Sequence, residues 1–573
     1  MCIRDRLKRG NQHFGALNLV GAPDPVMNWG RPENSGFRSI WNTGIELNDK
    51  LELYTFGNYS ATYGNYGMFY RVPNLRGVLT PIPNDPNDPS KGNFNWGDAY
   101  PLGFTPRLES FQKDFSSVTG IKGELESGLK YDISTSFGYN RINYLVDNTL
   151  NPSWGPLSKK RFKPGDLQQY ERNFNVDLSK KVGKKINVAV GVQNRNESYT
   201  MYAGDEQSYI AGPWANVGQL INPETGKNYD APVPASVSFA GLSKDNAGKF
   251  KGKNWGAYAD VEVDVSRAFL VQLAYRFEHY KVFGSTNNIK IAGRYTFSDW
   301  LTLRGGFSTG FRTPTPGQAN VVAIITSFDG VSGQQVQEGT VSPLHPLAQE
   351  LGGKKLSPET SKNISLGAAA RLTSNLSLTL DYYSIDIDDR IIKSKSLPTD
   401  SPLFSELAFY TNSLKTATNG VDVKLLWRKA QTNVSLTYNY NQLKVLSQKE
   451  VGGQTPVSDA TIFNLENNLP KNRVNLTIFH DFGKLSGMLR ANYYSRTIDE
   501  RSAREELSGE TLLDVELTYP ISNRLKFVLG ANNILNNYPD MITARLSQGM
   551  PFPRRSPIGY HGGMVYFKAI CKL

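Results

Sequence analysis

The feature that most restricts the fold of this chain is an alternation of apolar and polar residues that recurs along most of its length. In segment 431–441, Val434, Leu436, Tyr438 and Tyr440 alternate with small polar residues. Side chains of a β-strand point alternately to opposite faces, so each such segment predicts a strand with one apolar and one polar face. The same pattern appears at residues 186–192, 269–277, 376–382 and 525–531.

The length of the predicted strands indicates a membrane barrel. They run to about ten residues or more, which is what a tilted strand needs to cross a bilayer, whereas strands of soluble propellers and sandwiches average about five or six. Charged residues also share the face opposite the apolar rows, as Arg276, Glu278, Lys290 and Arg294 do. An apolar outside and a polar inside are typical of a barrel that has hydrocarbon as its outer solvent.

Short and long connections alternate along the chain. Tight polar turns are predicted at nine places, for example Asn48–Lys50 and Ser522–Asn523, and a tenth short connection lies near Phe283. Such alternation is typical of an outer-membrane barrel, whose periplasmic turns are tight and whose extracellular loops are long. The long segments are Gly64–Lys113, Met201–Gly252, Thr313–Ser361, Ile391–Thr416 and Asn533–Pro557.

These turns predict an all-β, antiparallel barrel with about 19 strands. The first recognisable strand lies near Ser39–Leu47 and the last at about Gly559–Ile570. Because bacterial single-chain barrels normally have an even number of strands, an odd count indicates an incomplete barrel. The opening sequence MCIRDRLKRG has no apolar core of a secretory signal. We therefore expect residues 1–10 to be a truncated or non-native start and residues 11–573 to be a partial barrel.

Composition narrows the range of partners. The 573 residues contain 64 Lys+Arg against 52 Asp+Glu, a net charge of +12 that suits an anionic ligand, lipopolysaccharide or nucleic acid. The basic residues are dispersed, which argues against nucleic acid. Cys2 and Cys571 stand at opposite ends without a neighbouring ligand set, so no metal or redox motif is indicated. No nucleotide-binding or hydrolase signature is present, so we predict neither an enzyme nor a cofactor.

Three stretches, in this order, resemble the C-terminal barrel of TonB-dependent receptors. The first, LRGGFSTGFRTPTPGQ, is similar to the family's strand ending in GFR-x-P, and the second, which begins LSPETSKNISLG, is similar to its P-E-x-S hairpin. The third, LGANNILNNYPD, is similar to its N-x-L-x-x-x-Y-P element. Pro314 and Pro316 cannot donate to a ladder and should end a strand, while Pro358 should precede the next. The resemblance extends from about residue 20 to the C-terminus.

The resemblance implies a fold and a function. Members of the family are 22-strand barrels filled by an N-terminal plug, and they take up scarce nutrients across the outer membrane of Gram-negative bacteria. We therefore expect an active-transport receptor, most simply for an iron–siderophore complex, that is energised by TonB acting on a plug missing from this chain. It should be a monomer in contact with outer-membrane lipid and lipopolysaccharide. Cys571 and Leu573 depart from the family's aromatic ending.

Other readings of the pattern stay open at this point. A passive porin-type channel would be complete without a plug, and a receptor could instead take cobalamin, haem or a glycan. A surface adhesin would be soluble without detergent. The run Asn84–Ser90 could coordinate calcium through hard oxygens, but it lacks the glycine and terminal glutamate of an EF-hand loop, which favours a solvated outer loop.

Candidate ligand-binding residues lie at the predicted outer mouth. Arg312 ends a strand there and could bind an anion, or pair with carboxylates of the lumen. His345 falls in the loop where haem receptors of the family can carry a histidine, although their N-P-N-L signature is absent. The loop after residue 201 offers aromatic rings suited to a siderophore or sugar, although tyrosines near strand ends also populate the membrane interface. These aromatic residues are Tyr202, Tyr209, Trp214 and Tyr229.

Overall fold

The computed structural model describes residues 33–48, 50–328, 335–400, 405–500, 503–542, 552–553 and 555–572. Nineteen strands form one antiparallel sheet in which each pairs with its neighbour along the chain. The strands are β1 Glu33–Asn48, β2 Leu51–Gly67, β3 Arg107–Glu124, β4 Leu129–Asp147, β5 Asp166–Val182, β6 Ile186–Tyr202, β7 Gly248–Asp264, β8 Phe269–Tyr280, β9 Gly284–Ser298, β10 Leu301–Arg312, β11 Glu359–Arg371, β12 Leu376–Lys393, β13 Glu406–Lys429, β14 Thr432–Gln448, β15 Asn472–Asp481, β16 Ser486–Tyr494, β17 Glu510–Pro520, β18 Leu525–Asn532 and β19 Met564–Cys571.

The predicted two faces of the sheet are confirmed by the register. On β6 the outward Val190 and Val192 are 41% and 51% exposed, so these apolar side chains have no protein layer above them. On the opposite face, Arg276 of β8 pairs with Asn288 of β9, and Arg294 pairs with Leu270. The apolar face is therefore the outer surface of the barrel wall and the charged face lines its lumen.

Nine tight turns connect the strands at one end of the barrel wall, as predicted, and longer segments connect them at the other, except for the three residues 281–283 between β8 and β9. The prolines act as expected, because β10 ends at Arg312 before Pro314 and β11 begins at Glu359 after Pro358. Several strands extend further outward than the sequence indicated. The segment Ile391–Thr416 is largely strand, because β12 and β13 stay paired beyond the irregularity at Arg390, as far as Lys393 and Tyr410.

Glycines on the lumen face make room for side chains that bridge across them. Gly191 lies in register between Asp177 and Tyr258, and the Tyr258 hydroxyl donates to Asp177 Oδ1 at 2.6 Å directly over it. A Cβ at Gly191 would approach Tyr258 Cε1 to 2.4 Å. Gly530 serves the same purpose beneath the 2.6 Å hydrogen bond from the Tyr566 hydroxyl to Glu516. These bridges join strands that are not direct neighbours and stiffen the wall.

We expect Gly191→Val to destabilise the barrel by about 1–3 kcal/mol, because the new side chain must displace the Tyr258 ring and break its hydrogen bond. Gly138→Val is the matched control, since a Cβ at Gly138 meets nothing closer than 3.9 Å. The free energy of unfolding from urea titrations in vesicles measures both. Equal stability of the two variants would contradict the bridging role of the glycine.

The outer connections contain short helices and strands. None of the helices in the described part of the chain is long and apolar enough to cross a membrane. The helical segments are Trp96–Ala99, Pro152–Leu157, Glu206–Ser208, Val217–Gln219, Pro316–Asn320, Pro346–Glu350 and Asp459–Asn467. The loop strands are Ile82–Asp85, Asp88–Phe94, Ala323–Phe328, Gln335–Val341, Leu397–Pro398, Thr497–Glu500 and Arg504–Leu507.

The loops after β2, β4 and β6 pack together into what we call the loop cap, which has its own hydrophobic core. Leu79, Leu150 and Val237, one from each loop, are each at most 1% exposed and belong to one cluster. Arg71 is fully buried beneath it and donates to Phe69 O and to Ser238 Oγ, at 2.8 and 2.6 Å. Burial lowers the pKa of Arg71 to about 9. The cap therefore has fixed contacts between segments distant in sequence.

A second loop core lies beyond β10 to β14. Val341 and Ala348 of the loop after β10 pack against Leu407 and Phe409 at the outer end of β13, and all four are at most 1% exposed. The loop strand Gln335–Val341 also pairs in parallel with this end of β13. The two loop cores therefore stand above different parts of the barrel wall and frame its outer mouth.

Candidate ligand site at the outer mouth

Arg312 lies where the sequence placed it, at the outer end of β10. It pairs in register with Glu359, and Nη1 stands 3.6 Å from Glu359 Oε2. Glu359 is held in place, because its side chain is only 7% exposed and Oε1 accepts a 2.7 Å hydrogen bond from the backbone N–H of Ile391. The Arg312 side chain is 58% exposed, and its other contact, to Gln318 Oε1, is 3.5 Å long. Several guanidinium donors therefore face the mouth without a close partner.

The segment after Arg312 reaches across the mouth. Thr315 and Gln318 form a capping box that starts the helix Pro316–Asn320, which lies against β6 and β7. A Cβ at Gly317 would lie 3.8 Å from Cζ of Tyr199, a lumen-face residue of β6. Since β7, β8 and β9 separate β6 from β10 in the sheet, this segment spans part of the opening. A ligand entering the lumen would pass beside it.

Below this segment, two charged side chains of β8 and polar side chains of β6, β7 and β8 form a connected lumen-wall cluster. Arg276 Nε donates to Glu278 Oε1 at 2.5 Å, and its Nη2 donates to Gln193 Oε1 at 2.8 Å. The other carboxylate oxygen of Glu278 accepts hydrogen bonds from Tyr280 at 2.6 Å and Asn254 at 3.1 Å. These hydrogen bonds hold the charges of Arg276 and Glu278 at fixed positions on the wall.

Arg195 extends the same cluster onto β5 and β6. Its Nη2 donates to Glu171 at 2.8 Å and to Glu197 at 3.1 Å. Sequence reasoning placed Arg276 and Glu278 in the lumen but did not identify the cluster as a site. The signal was present, because charged residues on the polar face of consecutive strands must meet once the register is known.

A polar recess lies at the turn end of the lumen, away from the lumen-wall cluster. It has a volume of about 760 Å³, and its lining includes Glu52, Lys122, Asp132, Asp177 and Tyr258. Lys122 Nζ is 3.2 Å from Glu52 Oε2. The recess lies at the opposite end of the barrel wall from Arg312, so it bears on passage through the lumen rather than on capture at the mouth.

His345 lies at the start of the helix Pro346–Glu350, as its N-cap, and its backbone N–H donates to Ser342 O at 2.9 Å. Nδ1 is shielded from solvent and has no hydrogen-bond partner among the described residues. One ring nitrogen is thus turned into the protein. An axial ligand role would have to come from Nε2.

The four aromatic residues of the loop after β6 do not share one surface, contrary to the sequence-based expectation. Tyr202 is on the outward face of β6, where its hydroxyl donates to Gln168 at 2.9 Å and Arg141 stacks on its ring. Trp214 and Tyr229 are only 6% and 5% exposed and belong to the core of the loop cap. Tyr209 is partly exposed. Tertiary packing decides these positions, and local sequence does not encode it.

The acidic run Asn84–Ser90 forms a hairpin turn of the loop cap. Lys91 Nζ lies 2.6 Å from Asp85 Oδ2, and this hydrogen bond lowers the pKa of the Asp85 carboxyl. Asp88 accepts from the backbone and side chain of Ser90. The carboxylates are thus engaged by the turn itself, in agreement with a solvated outer loop.

A long antiparallel wall, apolar outside and charged inside, with tight turns at one end and structured loops at the other, defines a large transport barrel. The family description "TonB dependent receptor-like, beta-barrel" matches residues 41–534. The chain belongs to the TonB-dependent receptor family, whose members are outer-membrane transporters and not enzymes. A search of curated protein sequences finds no match.

Solved structures share the fold at low sequence identity. A mutant of the ferric enterobactin receptor PfeA from Pseudomonas aeruginosa is 13% identical, with a TM-score of 0.62 over 97% of this chain and 71% of that one. The siderophore receptor PirA from Acinetobacter baumannii is 12% identical, with a TM-score of 0.59 over 96% and 72%. The FrpB iron transporter from Neisseria meningitidis is 10% identical, with a TM-score of 0.57 over 94% and 73%.

Proposed function

We propose that this protein takes up an anionic iron–siderophore complex across the outer membrane, energised through TonB. Family membership supports the receptor role, and the similar solved structures are those of two siderophore receptors and an iron transporter. The observation that carries the choice of an anionic cargo is the half-exposed guanidinium of Arg312 at the mouth. A guanidinium offers fixed donors to carboxylate or catecholate oxygens of an iron chelate.

The surroundings of Arg312 suit capture of a ligand at the mouth, followed by its passage into the lumen. The helix Pro316–Asn320 and the two loop cores narrow the opening, and the lumen-wall cluster around Arg276 and Glu278 continues the polar path inward. In this proposal, Arg312 makes the first contact, and Tyr209 and His345 are secondary candidates for ligand contact. Tyr202, Trp214 and Tyr229 support the wall and the cap.

Growth of a gene-disruption strain on single iron sources tests the cargo. We expect loss of growth on at least one ferric siderophore and restoration by the intact gene, but not in cells without TonB. Growth loss only on cobalamin, haem or a glycan would replace the siderophore by that ligand. Uptake that persists without TonB would favour a passive channel and contradict the proposal.

Arg312→Ala, introduced into the gene in its own bacterium, is expected to raise the siderophore concentration for half-maximal uptake about 10–100-fold. The estimate follows from the loss of charged hydrogen bonds worth roughly 1.5–3 kcal/mol. Arg371→Ala at the turn end of β11 removes the same charge far from the mouth and serves as the control. Equal effects of the two substitutions on labelled-iron uptake would exclude Arg312 as a ligand contact.

A further inference from the structure

The outward faces of β5 to β8 show where the membrane ends. On β7 the outward residues from Val263 to Trp255 are apolar, and this row covers about 26 Å of strand at about 3.3 Å per residue. With the usual tilt of about 40°, its height is about 20 Å, close to the apolar band of roughly 25 Å in outer-membrane barrels. The ring of Trp255 packs in a tilted arrangement against Phe277 of β8, with 5.2 Å between ring centroids. This aromatic pair marks the upper boundary of the hydrocarbon.

Directly above that boundary the outward side chains become basic. The next three outward positions of β7 are Lys253, Lys251 and Lys249, and all are exposed. Arg172 of β5 is exposed at the same level as Lys253, because both pair with Asn196 of β6. Two strand spacings place their backbones about 10 Å apart. We call these four residues, Arg172, Lys249, Lys251 and Lys253, the cationic patch.

The cationic patch has no nearby counter-charge in the protein. Strands β5 to β8 are described in full, and Asp166 is the one carboxylate among their outward residues. That carboxylate is already taken, because Asp166 Oδ2 accepts from Arg141 at 2.7 Å. Within the described residues none of the four patch cations lies within salt-bridge distance of a carboxylate.

On β11 and β13, by contrast, outward lysines have carboxylates close by. Lys362 of β11 lies directly opposite Asp386 in register, and Lys415 Nζ is 3.0 Å from Asp388 Oδ1. The cationic patch therefore differs from these strands, and it lies next to the three-residue connection between β8 and β9. It faces away from the lumen, so it does not serve ligand capture at the mouth.

We propose that the cationic patch binds the phosphate groups of the glycolipid in the outer leaflet, lipopolysaccharide, and so fixes the barrel's lipid neighbour on this side. The inference rests on the membrane placement in the proposed function. The positive charge of the patch matches the negative charge of the headgroup phosphates. Its height above the apolar band also matches theirs, because the phosphates lie just above the hydrocarbon, where lysine and arginine are attracted to anionic lipid. Arg172 and Lys253 would approach one phosphate from two sides of Asn196, and Lys249 and Lys251 reach further out.

Binding of purified lipopolysaccharide to the detergent-solubilised chain tests this inference. The variant Lys249→Gln, Lys251→Gln, Lys253→Gln is expected to bind about 100-fold more weakly than the parent, from a contribution of roughly fivefold per cation. The control variant Lys362→Gln, Lys415→Gln, Lys444→Gln removes the same charge from β11, β13 and β14, where Lys444 and Asp386 both pair with Ala417 in register, and it should bind like the parent. Binding by the parent should also weaken with added salt.

Two further arms identify the source of the phosphate and keep the inference distinct from the proposed function. Dephosphorylated lipopolysaccharide should bind the parent as weakly as the intact lipid binds the patch variant, and inorganic phosphate alone should not compete. Insertion of each variant into phosphatidylcholine vesicles, seen by flotation, confirms that it folds. A parent that fails to insert contradicts the membrane barrel itself. If the parent and both variants insert and bind lipopolysaccharide with equal affinity, the proposed role of the cationic patch is wrong, while the membrane barrel stands.

Discussion

Replacing Val190 by arginine is expected to destabilise the barrel in a bilayer by about 2–4 kcal/mol, the cost of a cation at the membrane midplane. Val190 is 41% exposed on the outward face of β6 and pairs with Ala259, midway between Val263 and Trp255 on β7. Its neighbours in register, Leu178 and Ala259, offer an introduced cation neither a carboxylate nor another polar group. Reversible urea unfolding in phospholipid vesicles gives the change in free energy.

The adjacent residue supplies the control. Ala189 points into the lumen, where it pairs with Asp260 on β7. Ala189→Arg should therefore change stability by less than about 1 kcal/mol, because the cation meets water and a carboxylate. A larger cost at Ala189 than at Val190 would mean that the two faces of the wall have been assigned the wrong way round.

Trp214→Ala is expected to weaken the loop cap by about 3–5 kcal/mol, the usual cost of removing a buried tryptophan. The ring packs with Ile82, Val217 and Tyr229, and its Nε1 donates to Pro83 O at 2.7 Å. It therefore joins the loop after β6 to the hairpin of the loop after β2. Hydrogen exchange of residues 203–247 should accelerate, while the barrel strands keep their protection.

Tyr202→Ala is the control for this prediction. It removes an aromatic ring from the outward face of β6, at the start of the same loop, outside the cap core. Exchange within residues 203–247 should then stay close to that of the parent. If Trp214→Ala leaves exchange in the loop unchanged, the loop is not held by this core.

The strands of the barrel wall could be predicted from sequence because the patterns that specify them are local. Alternation with a period of two and the polar turn residues each depend on a few neighbouring positions, and they correctly predicted 19 strands and nine tight turns. Boundaries were less accurate. The first strand was expected near Ser39–Leu47 and runs from Glu33 to Asn48. Pairing with a neighbouring strand extends a ladder past the point where the side-chain pattern fades.

The loop cap and the site depended on contacts that the sequence does not display. Trp214 and Pro83 are 131 positions apart, and nothing near either residue indicates the other. From the sequence, an aromatic residue in a loop predicts an exposed ring, and only the tertiary structure shows whether that ring is buried. Arg312 was placed correctly because a strand end is a local feature, whereas its partner Glu359 follows from the register of β10 and β11.

The most direct test of the account is the environment of successive residues on β6 in a bilayer. Spin labels at positions 186–193, in a chain whose Cys2 and Cys571 are replaced by serine, report collisions with oxygen from the lipid and with a nickel complex from water. We expect oxygen to dominate at the even-numbered positions, from Ile186 to Val192, and the nickel complex at the odd-numbered positions, from Asn187 to Gln193. Equal nickel access at all positions, or alternation in the opposite phase, would contradict the conclusion that the apolar rows face lipid around a polar lumen.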